Sequence, residues 1–260
     1  MNPRTGERFL AMIRKVVIVF LLLAAGFCLY RSVSPYLDVC MDQKRLVNMA
    51  YMRKEDTVLS ESEIQDEKHN GDFTETYVSP INFEVLKSIN PDIIGWIKIP
   101  GTVIDYPICW RAGDNEYYMT HSAAGEVKPY GSIMMDGSNS PEASDHLVVL
   151  YGHHMKNGTM FREIVKYSNP DFLYQHRAIH LYFPDYEELY TVIGTVVCQA
   201  KDMQIGNMIS DRSFVETWDN GVLKELDWQD PIERVLALVT CSYGSEDERT
   251  ICFAVSGGSE

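Results

Sequence analysis

The feature that most limits the fold is a succession of short β-forming runs in the second two-thirds of the chain. They are Gly95 to Ile99, Val103 to Tyr106, Gly131 to Met135, Leu147 to Tyr151, Ile179 to Phe183, Leu189 to Cys198, Arg234 to Thr240 and Thr250 to Val255. Turn signals such as Pro100-Gly101, Asp136-Gly137 and Pro184-Asp185 separate them. The runs do not alternate with helices as a βαβ fold requires. They predict a mainly β architecture with added helices, closed as an antiparallel or mixed barrel of about eight strands. Phe83 to Ile89 reads as a short amphipathic helix stopped by Asn90-Pro91. Helical insertions are expected at Met160 to Tyr167, with Thr159 as N-cap, and at Ser213 to Leu226, after Ser210-Asp211.

Ahead of this domain lies a different kind of sequence. Val16 to Tyr30 is uninterruptedly apolar and is preceded by Arg4, Arg8, Arg14 and Lys15. A spanning helix needs about 20 residues, and Leu10 to Ile13 extend the run if Arg14 and Lys15 snorkel to the interface. The positive flank places the N-terminus in the cytoplasm and everything after Arg31 outside. A cleaved signal peptide is the rival reading. No Ala-x-Ala site precedes Arg31, and Phe27 is bulky where a lipoprotein signal wants a small residue, so an uncleaved single-pass anchor is favoured. Tyr36 to Arg53 has helical spacing of apolar residues, and Glu55 to Thr76 is rich in charged and polar ones. The expected organisation is a cytoplasmic segment 1–15, an anchor 16–31, a helical and polar spacer 32–81 and a barrel domain 82–260.

The formal net charge is −14. Nucleic-acid binding requires clustered Lys and Arg, so this acidic balance argues against it. Among six cysteines there is no Cys-x-x-Cys pair and no Cys/His spacing typical of zinc. The histidines are scattered. His176 and His180 would share a helix face, but the second lies in a strand-like run, so neither metal nor cofactor is expected. Cys198 and Cys252 sit in apolar runs and read as packing residues.

Three strand ends carry chemistry. Leu236 to Thr240 ends in Cys241 and opens into the polar loop Ser242 to Glu248. A thiol in a polar, partly exposed place gains thiolate character. Leu147 to Tyr151 ends in Gly152-His153-His154, and an imidazole there could protonate a leaving amine and deprotonate an incoming one. Adjacent residues of an extended chain face opposite ways, so one of the two histidines is expected to face the site. Arg249 begins the last run. A hairpin between residues 241 and 249 would bring its permanently charged guanidinium beside Cys241 as an electrophilic stabiliser, although a surface ion pair with Glu246 or Glu248 would also account for it.

These residues, in this order, resemble the class B sortases, membrane-anchored cysteine transpeptidases of Gram-positive bacteria. The resemblance rests on Leu238-Val239-Thr240-Cys241, on Leu150 to Phe161 with its Gly-His-His-Met core, and on Asn90 to Ile97. Gly101 to Pro107, Asn115 to Tyr118 and Gly131 to Asp136 add to it, so that it covers roughly residues 82–256. It implies an eight-stranded sortase-type barrel with Cys241 as nucleophile, His153 as general acid/base and Arg249 holding the substrate carbonyl. Thr240 and Tyr151 would help shape the groove. Ser242 stands where relatives can carry an acidic residue.

The reaction so implied begins with attack of Cys241 on a Thr carbonyl in a C-terminal sorting signal of a secreted protein. The signal would be an Asn-Pro-x-Thr pentapeptide or a related one. A thioacyl-enzyme forms and is resolved by an amine of the cell-wall precursor or of a pilin lysine. The topology read from charge and hydropathy agrees, since substrate and acceptor both lie outside the membrane. Two other readings share these residues: a non-catalytic anchored binding module with Cys241 buried, and a cysteine peptidase that hydrolyses the same acyl-enzyme.

Overall fold

The computed structural model describes residues 3–52, 77–203, 205, 234–241 and 247–256. The chain divides into two compact units, Met1–Gln43 and Lys44–Glu260. The first is helical. Helix α1 spans Pro3–Ala50, its last residues belonging to the second unit. Its stretch from Met12 contains an 18-residue window of mean hydropathy 2.3, long and apolar enough to cross a membrane. The sequence separates an apolar run ending at Tyr30 from a helical segment beginning at Tyr36. In the structure the helix continues through Pro35, which costs it one backbone hydrogen bond.

The second unit is a barrel. Helix α2 (Phe83–Ile89) is capped by Asn82, whose side chain accepts from the Val85 N–H at 3.1 Å. It ends at Asn90, where the residue before Pro91 is driven out of helical geometry. Eight strands follow: β1 (Ile93–Lys98), β2 (Asp105–Cys109), β3 (Ile133–Met135), β4 (Leu147–Tyr151), β5 (Ala178–Tyr182), β6 (Glu187–Gln199), β7 (Val235–Cys241) and β8 (Glu248–Ser256). They close in the order β1-β2-β3-β4-β7-β8-β6-β5, with β5 returning antiparallel to β1. The β2–β3 and β4–β7 pairs are parallel and the rest antiparallel. The mainly β barrel expected from the sequence is therefore the fold.

Closure explains the residue pattern of β7. It lies between β4 and β8 and is buried on both faces, so its first six residues form an unbroken apolar or Thr run. One face, Val235, Ala237 and Val239, joins Val149, Ile251 and Phe253 in one core cluster. A second cluster joins Ala50, Phe83, Leu86, Ile93 and Trp96 beside α2.

Two expectations need correction. The second strand lies at Asp105–Cys109 rather than Val103 to Tyr106, and includes Pro107. Strand β3 pairs only with Ile108 and Cys109, so the missing N–H of Pro107 breaks no ladder bond on that side. The helix expected at Met160 to Tyr167 is present as a 3-10 helix, Phe161–Ser168, but its cap residue is Met160 rather than Thr159 and makes no side-chain cap bond. Gly158 and Met160 both have positive φ. That turn leaves the Thr159 hydroxyl donating to Asn157 at 2.7 Å instead of capping the helix. Buried Phe161, Ile164 and Tyr167 seat this helix on β6, β7 and β8. Two short helices that the sequence did not suggest are α3 (Tyr117–Thr120) and α4 (Pro170–Gln175). The segment Ser213 to Leu226 and the spacer Glu55 to Thr76 lie outside the described residues.

Candidate active site

Register brings the three strand ends together. Strand β4 runs parallel to β7 with Leu147 opposite Val235 and Tyr151 opposite Val239. Strand β8 runs antiparallel to β7, its register ending with Cys241 opposite Arg249. Directly paired residues share a face of the sheet, so Arg249 stands beside Cys241 as the hairpin reading expects. Tyr151, His153, Thr240, Cys241 and Arg249 all line one pocket, together with Met119.

The six cysteines are free thiols and differ sharply in setting. Cys109 and Cys252 are fully buried, and burial pushes both thiols far above the usual cysteine range. Cys241 is half-buried at the strand end and opens on the pocket. Cys198, read from sequence as a packing residue, pairs with Arg249 from the other side. Its thiol is raised by burial and by Asp202, against the opposing charge of Arg249. Arg249 thus sits in a cross-strand row between two cysteines. The Glu248 contact of its guanidinium is a 3.1 Å donation to the backbone carbonyl, so the contact with that residue is not a carboxylate pair.

The two histidines part company as the alternation rule requires. His153 lines the pocket, and its Nε2 lies 2.7 Å from the Met119 carbonyl oxygen. A carbonyl only accepts, so Nε2 carries the proton and, in the neutral ring, Nδ1 holds the lone pair. His154 turns away and donates from Nδ1 to the carbonyl oxygen of Cys241 at 2.7 Å. Burial, with the charge of Arg162, holds its imidazole below the usual histidine range, against the raising effect of the Cys241 carbonyl.

Thr240, 2 % exposed, donates its hydroxyl to the Gly152 carbonyl at 2.7 Å. Gly152 allows close packing: a Cβ there would lie 2.6 Å from Ile133 Cδ1 and from Phe161 Cγ. The Tyr151 hydroxyl donates to Asp136 at 3.0 Å. Burial and that carboxylate together push the phenol well above its ordinary range. Burial also pushes the Asp136 carboxyl up. Bonds from the Ser138 N–H and hydroxyl, from Tyr151 and from Asn115 outweigh it, and the net shift is downward.

The structure therefore gathers all five residues singled out from the sequence. What sequence reasoning missed is their support: Met119, Asp136, Asn115 and the role of His154. Met119 acts through its backbone, which leaves no side-chain signature. His154 and Asp136 were in view, but their partners are over 80 and 15 positions away respectively, at residues 241 and 151. Ser242 lies outside the described residues.

A thiol, an imidazole with one nitrogen committed and one free, and a guanidinium on adjacent strand ends suit acyl transfer. Comparison with known proteins points the same way. Residues 97–256 match the family model described as the Sortase domain. Sortase B of Listeria monocytogenes is 43% identical over 91 residues, covering 35% of this chain and 37% of that protein. Sortase B of Staphylococcus aureus is 30% identical over 173 residues, covering 66% and 63%. The matches thus span less than two thirds of those relatives' length. The solved structure of Clostridium perfringens sortase B superposes with a TM-score of 0.54 at 30% identity, covering 68% of this chain and all of that one.

Proposed function

Because the chain belongs to the sortase family, and within it to class B, we propose that it is a cysteine transpeptidase that attaches surface proteins to an amine. In this reading Cys241 is the nucleophile, His153 the general acid/base and Arg249 the carbonyl-binding cation. The observation that carries it is the terminal pair of the β7–β8 ladder, Cys241 opposite Arg249, in one pocket with His153.

The thiolate of Cys241 attacks the Thr carbonyl of a sorting signal, and negative charge collects on its oxygen beside Arg249. With Nε2–H engaged by Met119, Nδ1 is the nitrogen left to take the proton that the Cys241 thiol gives up on becoming a thiolate. The Thr carbonyl–nitrogen bond breaks as Nδ1–H protonates the departing amine. The acceptor amine then attacks the thioester carbon, gives its proton to Nδ1, and the thiolate leaves. Thr240 and Tyr151 shape the wall on which the signal lies. The substrate is a protein with an Asn-Pro-x-Thr-like C-terminal signal, and the acceptor is a cell-wall precursor or pilin amine.

The apolar part of α1 supports a single-pass anchor with residues 1–15 inside and the barrel outside. The same division assigns residues 16–31 to the anchor, 32–81 to a spacer and 82–260 to the catalytic domain.

The test is mass spectrometry of the full chain in detergent, incubated with a panel of sorting-signal peptides and an amine acceptor, beside Cys241→Ala and His153→Ala. Ligated product from the parent and from neither variant is expected. Cleavage without ligation would transfer the assignment to a peptidase. An unreactive Cys241 and no acyl-enzyme on any peptide would leave a binding module.

A further inference from the structure

The β4–β7 ladder stops short of the thiol. Its last pair is Tyr151 with Val239, followed by a 3.1 Å bond from the Gly152 N–H to the Val239 carbonyl. Cys241 lies two residues further on, at the end of its register with β8 as well. Past the ladder, side chains take over. Thr240 donates to the Gly152 carbonyl and His154 to the Cys241 carbonyl, each at 2.7 Å.

We infer that His154 is a positioning residue for Cys241, fixing the end of β7 through its Nδ1–H bond to the Cys241 carbonyl. This rests on the reading of Cys241 as nucleophile. A peptide unit is planar, so a carbonyl held in place limits rotation about the Cα of Cys241 and with it the direction of the Cα–Cβ bond. The holder is itself held. His154 pairs as an isolated bridge with Met160, and the Phe161 N–H donates to the His153 carbonyl at 3.0 Å. The two adjacent histidines then divide the work: His153 handles protons in the pocket, and His154 fixes the main chain that carries the thiol.

The bond uses Nδ1, which Asn imitates, because its Nδ2 stands at the same branch position from Cβ. His154→Ala removes the donor and His154→Asn keeps it. Both variants of the full chain are compared with the parent for ligation kinetics and for amide hydrogen exchange of residues 236–241. In His154→Ala, kcat is expected to fall about ten-fold or more, the scale of a misplaced reacting group, with little change in KM. Exchange of 236–241 is expected to quicken, and His154→Asn should restore both. Unchanged exchange in His154→Ala overturns the inference. So does a parental kcat despite faster exchange, or an equal loss of kcat in the Ala and Asn variants. If the parent ligates nothing, the transpeptidase reading fails by itself, and the exchange comparison still decides whether His154 holds β7.

Discussion

The Met119 carbonyl oxygen lies 2.7 Å from His153 Nε2, which fixes the ring's tautomer and its orientation in the pocket. That carbonyl is in turn placed by its own neighbours. Asp114 accepts from the Glu116 and Tyr117 N–H groups at the start of α3, at 3.0 and 3.1 Å. The Ser132 N–H donates to the Tyr118 carbonyl at 2.9 Å. Gly131 packs directly beneath: a Cβ there would stand 2.4 Å from the Tyr118 oxygen and 2.7 Å from the Met119 oxygen.

Gly131→Ala should therefore damage both fold and chemistry. Its φ of +57° is unfavourable for Ala, and the clash is with backbone, which moves least readily. A loss of about 1–3 kcal/mol is expected from strain of this kind, read as a lower urea midpoint. Ligation by the folded fraction should fall further than stability alone explains, because the Met119 carbonyl must shift. Parental kcat in folded Gly131→Ala would show that the Met119 bond does not orient His153.

Arg249→Lys tests the planar cation. Lys keeps the charge but lacks the fork of donors. Removing one oxyanion donor elsewhere costs about 10²–10³ in kcat, and a loss within that range is expected in steady-state ligation. Stability should barely change, since the Glu248 contact of Arg249 is a single bond to a backbone carbonyl at the pocket edge. A variant as active as the parent would remove Arg249 from the mechanism.

Thr240→Val removes a buried hydroxyl and strands the Gly152 carbonyl that it serves. The expected loss is about 1–2 kcal/mol by denaturant titration. Thr240→Ser keeps the donor and should recover most of it. Equal destabilisation by Val and Ser would mean that the methyl group, not the bond to Gly152, matters at this position.

Asp136 sets a dependence on pH. Its folded carboxyl titrates below the ordinary value, so its contribution is complete above the unfolded value of about 3.9. It is lost as pH falls through the lower folded value. In Asp136→Asn, the urea midpoint should be lowered at pH 7, and the gap to the parent should narrow as pH falls below about 4. A gap that stays constant with pH would mean that the carboxylate charge is not what the Tyr151, Asn115 and Ser138 donors stabilise.

Elements with strong local signals were readable. The run Leu236 to Thr240 is short, rich in β-formers and opens into a polar loop, and so reads as a buried strand. The predicted helix Phe83 to Ile89, stopped by Asn90-Pro91, is α2 to the residue. The anchor-like run at Val16 to Tyr30 is apolar by composition alone. The 3-10 geometry at Phe161 was not readable, because it follows from two positive-φ residues, one of them a methionine. Nor was the start of β2, where Pro107 is tolerated only because β3 is short on that side.

The site divides the same way. Sequence by itself determined which groups are present and that three of them, Cys241, His153 and Arg249, stand at the ends of β runs, because alternation and apolar periodicity are local properties. Tertiary structure decided the rest: that parallel β4 and antiparallel β8 both flank β7, so that distant positions meet at one pocket; that Nε2 rather than Nδ1 of His153 is engaged; and that His154 holds the Cys241 carbonyl. These depend on barrel closure and strand register, which arise from packing between segments some 90 residues apart, a separation that no local pattern encodes.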